Sequence, residues 1–290
     1  MKKLFLTLLG ILVLLAGAAL VCYPFISNTL MEQNQESEII TQQSAVKNAD
    51  EDEIDKAFKD AQEYNKSLLG NIVLTDPFDP GFQDESNPKY YSLLNINNDS
   101  IMASIEIPKV RVNLPIFHGT SATSLEKGAG HLQKTSLPVG GKSTHCVITG
   151  HTGLSSARLF TDISQLENGD VFFINVLNKR LAYKVDKIQV VLPEDTEALR
   201  VVPDKDYVTL VTCTPYGINS HRLLVRGERT DITEAERTAE QTPKIETVWM
   251  KQYRIGLTIG AISIAVVLAV FFTVKTIISK TKKRKKKNEA

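Results

Sequence analysis

The sequence predicts a mainly β domain, closed or nearly closed into a barrel, with a helical region before it and a transmembrane helix on each flank. Three observations predict this. Seven stretches within residues 101–229 are rich in β-branched and aromatic residues and are separated by Gly, Pro, Asn and Asp clusters. The helical signal between them is weak and short, as at 155–166, so the strands have to pair with one another and close. Two apolar runs, residues 4–26 and 255–278, flank this region. Each is about 23 residues, roughly 35 Å as a helix, against a hydrocarbon core of about 30 Å.

Taken in order, residues 1–27 form the first apolar segment, preceded by Lys2 and Lys3. It reads as a retained anchor. The small residues Ala16, Gly17 and Ala18 keep a cleaved signal peptide open as the alternative. Residues 28–70 hold a polar stalk or loose helix and then an amphipathic helix, with Ile54, Ala57, Phe58, Ala61, Leu68 and Leu69 at helical spacing. Residues 71–90 form a long loop. Three prolines, one glycine and four acids within 71–88 exclude regular structure there. Strands are expected at 101–107, 111–117, 144–149, 171–176, 181–191, 207–213 and 221–228, with a short eighth near 128–132, inside a β domain at 91–232. A polar connector at 233–252 leads to the second apolar helix at 253–279 and a basic tail at 280–290.

Charge orients the chain. The formal net charge is +1, but residues 280–290 carry seven Lys/Arg and one Glu, or +6, so the other 279 residues sum to −5. Such a tail stays on the cytoplasmic side and suits anionic lipid. The intervening domain is then outside the cell, in a multi-pass membrane protein. No basic stripe for nucleic acid appears in that domain. Of three cysteines, Cys22 lies in the first apolar run, whereas Cys146 and Cys213 lie in the outer domain. This is too few for a disulfide framework. No His/Cys spacing suits zinc, and no metal or organic cofactor is expected.

Cys213 ends the apolar strand YVTLVT, where a side chain can face a groove. The chain turns through PYGIN and returns as SHRLLVRGER. Paired antiparallel strands lie about 4.8 Å apart, so Arg222 can stand beside the thiol. A guanidinium there favours thiolate and can bind an oxyanion. Arg226 shares that face but lies further along the strand, and Arg229 is a further alternative. His221 precedes Arg222 and points to the other face. A catalytic thiol also needs a proton donor for its leaving group. His151 follows the strand HCVITG after a glycine and is the best placed of five histidines. His145 starts the same strand at its far end, and His118 and His131 sit in loops and are not excluded by spacing. Cys146 reads as core.

TLVTCTPYGINSHRLLVRGER, with ITGHTGL and TDPFDP, resembles the class C sortases, pilin-polymerising transpeptidases of Gram-positive bacteria. The likeness covers about residues 60–230. It implies an eight-stranded sortase β-barrel with an N-terminal helical region. Cys213 is then the nucleophile, His151 the general acid/base and Arg222 the oxyanion partner. Asp76, Pro77 and Phe78 resemble the lid motif, with Asp76 paired to Arg222 and Phe78 over Cys213. The implied partners are pilin subunits that carry an LPXTG-like sorting signal and an acceptor lysine. Two other readings stand beside it: a housekeeping sortase that attaches proteins to the cell wall, and a non-enzymatic surface scaffold.

Overall fold

The structure, a computed structural model, describes residues 2–68, 74–79, 84–154 and 157–288. These fall into two units, Met1–Ile245 and Glu246–Ala290. The first unit is built on eight strands: β1 (Ile101–Ile107), β2 (Val112–His118), β3 (Ala129–His131), β4 (Thr144–Thr149), β5 (Val171–Val176), β6 (Lys179–Val191), β7 (Asp206–Thr214) and β8 (His221–Thr230). They close into a barrel in the order β1-β2-β3-β4-β7-β8-β6-β5. Two contacts are parallel, β2 with β3 and β4 with β7; the rest are antiparallel. All seven expected strands are present, and the short eighth is β3.

Closure lets the inward residues of every strand share one core. Ile105, Ile116, Ile148, Phe172, Ile174 and Val225 are fully buried in it. Each such side chain contributes about 1.5–3 kcal/mol over its exposed state. Gly227 permits this packing on β8, because a Cβ there would meet the Phe172 ring at 2.6 Å.

Helix α1 (Lys2–Asn48) is continuous through the polar run 31–48. Its second half lies on β2, and buried Gln35 donates to the Lys127 carbonyl at 2.7 Å. Helix α2 (Glu51–Ser67) is capped by Asp50, whose carboxylate accepts from the Asp52 N–H. Glu51, Asp52 and Glu53 in its first turn and Lys66 in its last complement the helix dipole. Its buried face holds Ile54, Ala61, Tyr64 and Asn65, and the Asn65 amide exchanges two hydrogen bonds with Leu137. Short helices α3 (Pro88–Ser92) and α4 (Ala122–Lys127) follow. Helix α5 (Ile232–Gln241), within the expected connector, seats Ala235 against Val171, Phe173 and Ala182.

Helix α6 (Val248–Asn288) occupies the second unit. Among the described residues no helix is long and apolar enough to cross a membrane. The two expected transmembrane helices are therefore not supported by the structure. Several side chains of both apolar runs lie outside the described residues, α1 continues into a polar segment, and α6 continues into the basic tail.

Candidate active site

The thiol is the next-to-last residue of β7, and the antiparallel register sets Cys213 directly opposite Arg222 on β8. Thr214 faces His221, whose ring is engaged by Ser220 at 2.9 Å. Strand geometry thus separates the adjacent pair His221 and Arg222 as their order implies.

Parallel pairing of β4 with β7 brings the end of β4 to the same pole. Gly150 donates to the Val211 carbonyl at 3.1 Å, and Thr212 Oγ1 donates back to the Gly150 carbonyl at 2.7 Å. These two bonds pin the residue before His151 to the residues just before Cys213. Position 150 has to be glycine, because a Cβ would meet the Phe160 ring at 2.7 Å. The Phe160 N–H closes the far end of the loop onto the His151 carbonyl at 3.0 Å. His151 is half-buried.

Asp76 and Phe78 come to this pole from the long loop. Arg222 Nε donates to Asp76 Oδ1 at 2.8 Å and Nη2 donates to Oδ2 at 2.5 Å, a fork-on-fork pair with both side chains 10% exposed. Arg222 Nη1 donates to the carbonyls of Asn219 and His221, both at 3.0 Å. Phe78 lies 5.6 Å from the His151 ring and 5.3 Å from the guanidinium carbon of Arg222. It packs on an apolar patch of Leu132, Val147, Leu199, Val211 and Leu224. Pro77 joins these two anchors, and the Phe78 N–H donates to Asp76 Oδ1 at 3.4 Å in an Asx-type turn. The class C resemblance implies Phe78 over Cys213; its ring contacts are with His151 and Arg222.

The electrostatics follow from this cover. Burial raises the Cys213 pKa; the Arg222 charge opposes that and the Asp76 charge adds to it. Burial lowers the His151 pKa, opposed by Glu126. Burial works against the Arg222 charge, but the hydrogen bonds and charge of Asp76 outweigh it, so that pKa is raised. The site at rest therefore holds a thiol and a neutral imidazole, with the guanidinium occupied by a carboxylate. Among the described residues no cluster suits a metal ion.

A sortase C-1 from Actinomyces oris superposes on this fold with a TM-score of 0.59 and 48% identity, covering 62% of this chain and 99% of that one.

The chain belongs to the sortase family.

The family model for the sortase domain matches residues 105–230, from β1 through β8. A pilus-related sortase C of group B Streptococcus has 42% identity and a TM-score of 0.60, over 66% of this chain and 95% of that one. Sortase A of Streptococcus agalactiae is 34% identical over 121 residues, 41% of this chain. The match spans about half of that relative, 49% of its length. Its structural neighbours are thus class C sortases.

The remaining histidines are placed away from the thiol. His145 is buried at the other end of β4, bonded to the Arg200 carbonyl and Thr209 Oγ1. His131 is bonded to Tyr90 and to the Ser136 carbonyl, and His118 to the carbonyls of Ser100 and Leu93. Cys146 is buried core. Arg226 pairs with Asp186 at 2.5 Å, which removes it as a rival to Arg222. Two contributors are absent from the sequence reading, Glu126 as the charge acting on His151 and Asn219 as a carbonyl that orients Arg222. Glu126 reaches His151 only through tertiary folding, whereas Asn219 lies three residues before Arg222 in the β7–β8 turn.

Proposed function

We propose that the protein is a class C sortase, a cysteine transpeptidase that joins pilin subunits. The observation that carries this reading is the pairing of Cys213 with Arg222 under the Asp76–Phe78 cover. In this mechanism the cover first leaves. Arg222 then loses Asp76 and frees Nε and Nη2, and the Cys213 pKa falls with the loss of the nearby carboxylate. His151 takes the thiol proton as Cys213 attacks the Thr carbonyl of an LPXTG-like signal. The oxyanion is held by the Arg222 N–H groups. The Thr–Gly C–N bond breaks, His151 returns its proton to the leaving amine, and a thioester remains on Cys213. A neutral lysine amine of the next pilin attacks that thioester. Its proton passes to His151, the thiolate departs and an isopeptide bond forms. No cofactor enters any step.

The apolar runs 4–26 and 255–278 and the basic tail support anchoring in the cell membrane, with the barrel outside and the tail in the cytoplasm. A housekeeping sortase would use the same thiol but transfer to a wall amine. The Asp76–Arg222 pair favours the pilin reading, since it covers the site in the manner the class C resemblance implies. The test is to incubate the full chain with a purified pilin. Covalent ladders should form with the wild type and be absent with Cys213→Ala; ladders built by Cys213→Ala overturn the assignment.

A further inference from the structure

The pole of the barrel opposite Cys213 carries charge that acyl transfer does not use. β4 and β7 run parallel, so Thr144 and Asp206 are partners at the far end from His151 and Cys213. Seven strand steps separate Asp206 from Cys213, roughly 23 Å. Two adjoining cavities of about 250 and 380 Å³ open there, sharing Gln62, Gly140 and Gly141. Lys66 and Lys142 line the first, Lys179 and Arg229 the second. The one acid on either lining is Asp206, and its carboxylate is committed to the Gly141 N–H at 2.9 Å and the Tyr183 hydroxyl at 3.1 Å.

Nearby surface cations are neutralised. Arg180 pairs with Glu106, Lys184 with Glu234 and Lys205 with Glu228. The groove cations are held differently. The Lys179 ammonium sits 3.5 Å over the Phe58 ring, and the Arg229 guanidinium lies 5.5 Å from the Tyr183 ring and near enough to the Asp206 carboxylate to act on it. An aromatic face positions a cation and leaves its charge in place, as at Lys179. Four cations and one acid give a formal lining charge of +3, in a chain whose first 279 residues sum to −5.

The glycine turn between them adds donors. Gly140, Gly141 and Ser143 have φ of +66°, +124° and +58°. Among the described residues, the N–H groups of Gly140, Lys142 and Ser143 have no hydrogen-bond partner, although Gly140 is buried. Lys142 and Ser143 present two consecutive free N–H groups, the kind of donor pair that lines an anion-binding concavity.

We propose that this groove binds a phosphate-bearing polyanion. Point-charge ammonium groups beside backbone N–H donors suit phosphate oxygens, and cations spread over two adjoining cavities suit a repeating charge rather than a single ion. A lipid surface is disfavoured by where the chain leaves the barrel. Asn28 lines a cleft with Arg111, and the Ile245 N–H donates to the Lys109 carbonyl at 3.1 Å. Both positions are at the β1–β2 turn, on the thiol pole, so segments leading to the apolar runs depart from the end opposite the groove.

The test is a lysine-acetylation footprint of the full chain in detergent, read by mass spectrometry, with and without inorganic polyphosphate. Site resolution separates the groove from the basic tail. Acetylation of Lys66, Lys142 and Lys179 should slow by about 10-fold, as for a ligand concentrated in a cationic cleft, while Lys56, Lys59 and Lys89 are unchanged. In the Lys66→Gln, Lys142→Gln variant the protection of Lys179 should be lost, while acylation of Cys213 by a sorting-signal peptide persists and reports an intact fold. Protection of the groove lysines no greater than that of Lys56 and Lys59 overturns the proposal. Stronger protection by anionic phospholipid vesicles than by polyphosphate also overturns it, in favour of a membrane contact. Failure of Cys213 acylation in the wild type, with the footprint present, bears on the transpeptidase reading alone.

Discussion

Removing the Asp76 carboxylate should make Cys213 react faster, by an amount the geometry fixes. Asp76→Asn keeps the side-chain shape and removes the charge that Arg222 grips at 2.5 and 2.8 Å. An exposed ion pair contributes under about 1 kcal/mol, and breaking a buried one costs about 3–5. With both side chains 10% exposed this pair lies between those limits. Arg222 also regains water once the cover leaves, so about 2 kcal/mol is a fair figure, or roughly 30-fold in the population of the uncovered site. The thiol changes in the same direction, because the Asp76 charge adds to burial in raising its pKa. The assay is alkylation by iodoacetamide at neutral pH, resolved by cysteine in a mass spectrometer. Added free glutathione calibrates reagent reactivity and buried Cys146 reports unfolding. A Cys213 rate in Asp76→Asn indistinguishable from the wild type, with Cys146 still protected, would refute the covering role of the pair.

Three further outcomes are expected. Arg222→Lys retains a charge but not the planar fork, and should lower the acylation rate by about 10²–10³ with substrate binding little changed, checked by single-turnover kinetics on a sorting-signal peptide. Burial lowers the pKa of both His131 and His145 from 6.5 to about 4. The unfolded chain therefore binds more protons between those values. Stability should be full above about pH 6.5 and fall as pH drops towards 4, by up to about 3 kcal/mol per residue, measured by urea unfolding across that range. His131→Gln should flatten part of the dependence. Gly119→Ala should destabilise by about 1–3 kcal/mol, because Gly119 has φ +71° and a Cβ there would collide with the Asp84 carboxylate, which otherwise accepts from the Thr120 N–H at 2.8 Å; thermal melts check this.

The strands were legible because their residue types and turn signals are local. β7 and β8 show this best: an apolar run, a Pro-Tyr-Gly turn and a returning apolar run set Arg222 within reach of Cys213, as the register has it. His151 was legible for a similar reason, as a residue after a glycine at a strand end. β3 is three residues long and carries almost no pattern of its own; it exists because β2 and β4 leave a gap that it fills. Helix α5 hides in a polar sequence because only Ala235 is buried outright. The contact of Phe78 with His151 was not legible, since its position depends on the apolar patch formed by Leu132, Val147 and Leu224 from three strands or loops distant in sequence. The cationic groove is likewise assembled from α2, the 140–143 turn, β6 and β8, and no single segment is conspicuously basic.

The central claim is that Cys213 becomes acylated by a sorting signal. The most direct measurement is the intact mass of the full chain after incubation with an LPXTG-containing peptide. The account predicts an adduct of the peptide's Thr-terminated portion on Cys213, faster in Asp76→Asn, absent in Cys213→Ala, and discharged by a lysine amine. An adduct that survives Cys213→Ala, or none at all even with Asp76→Asn, would contradict it.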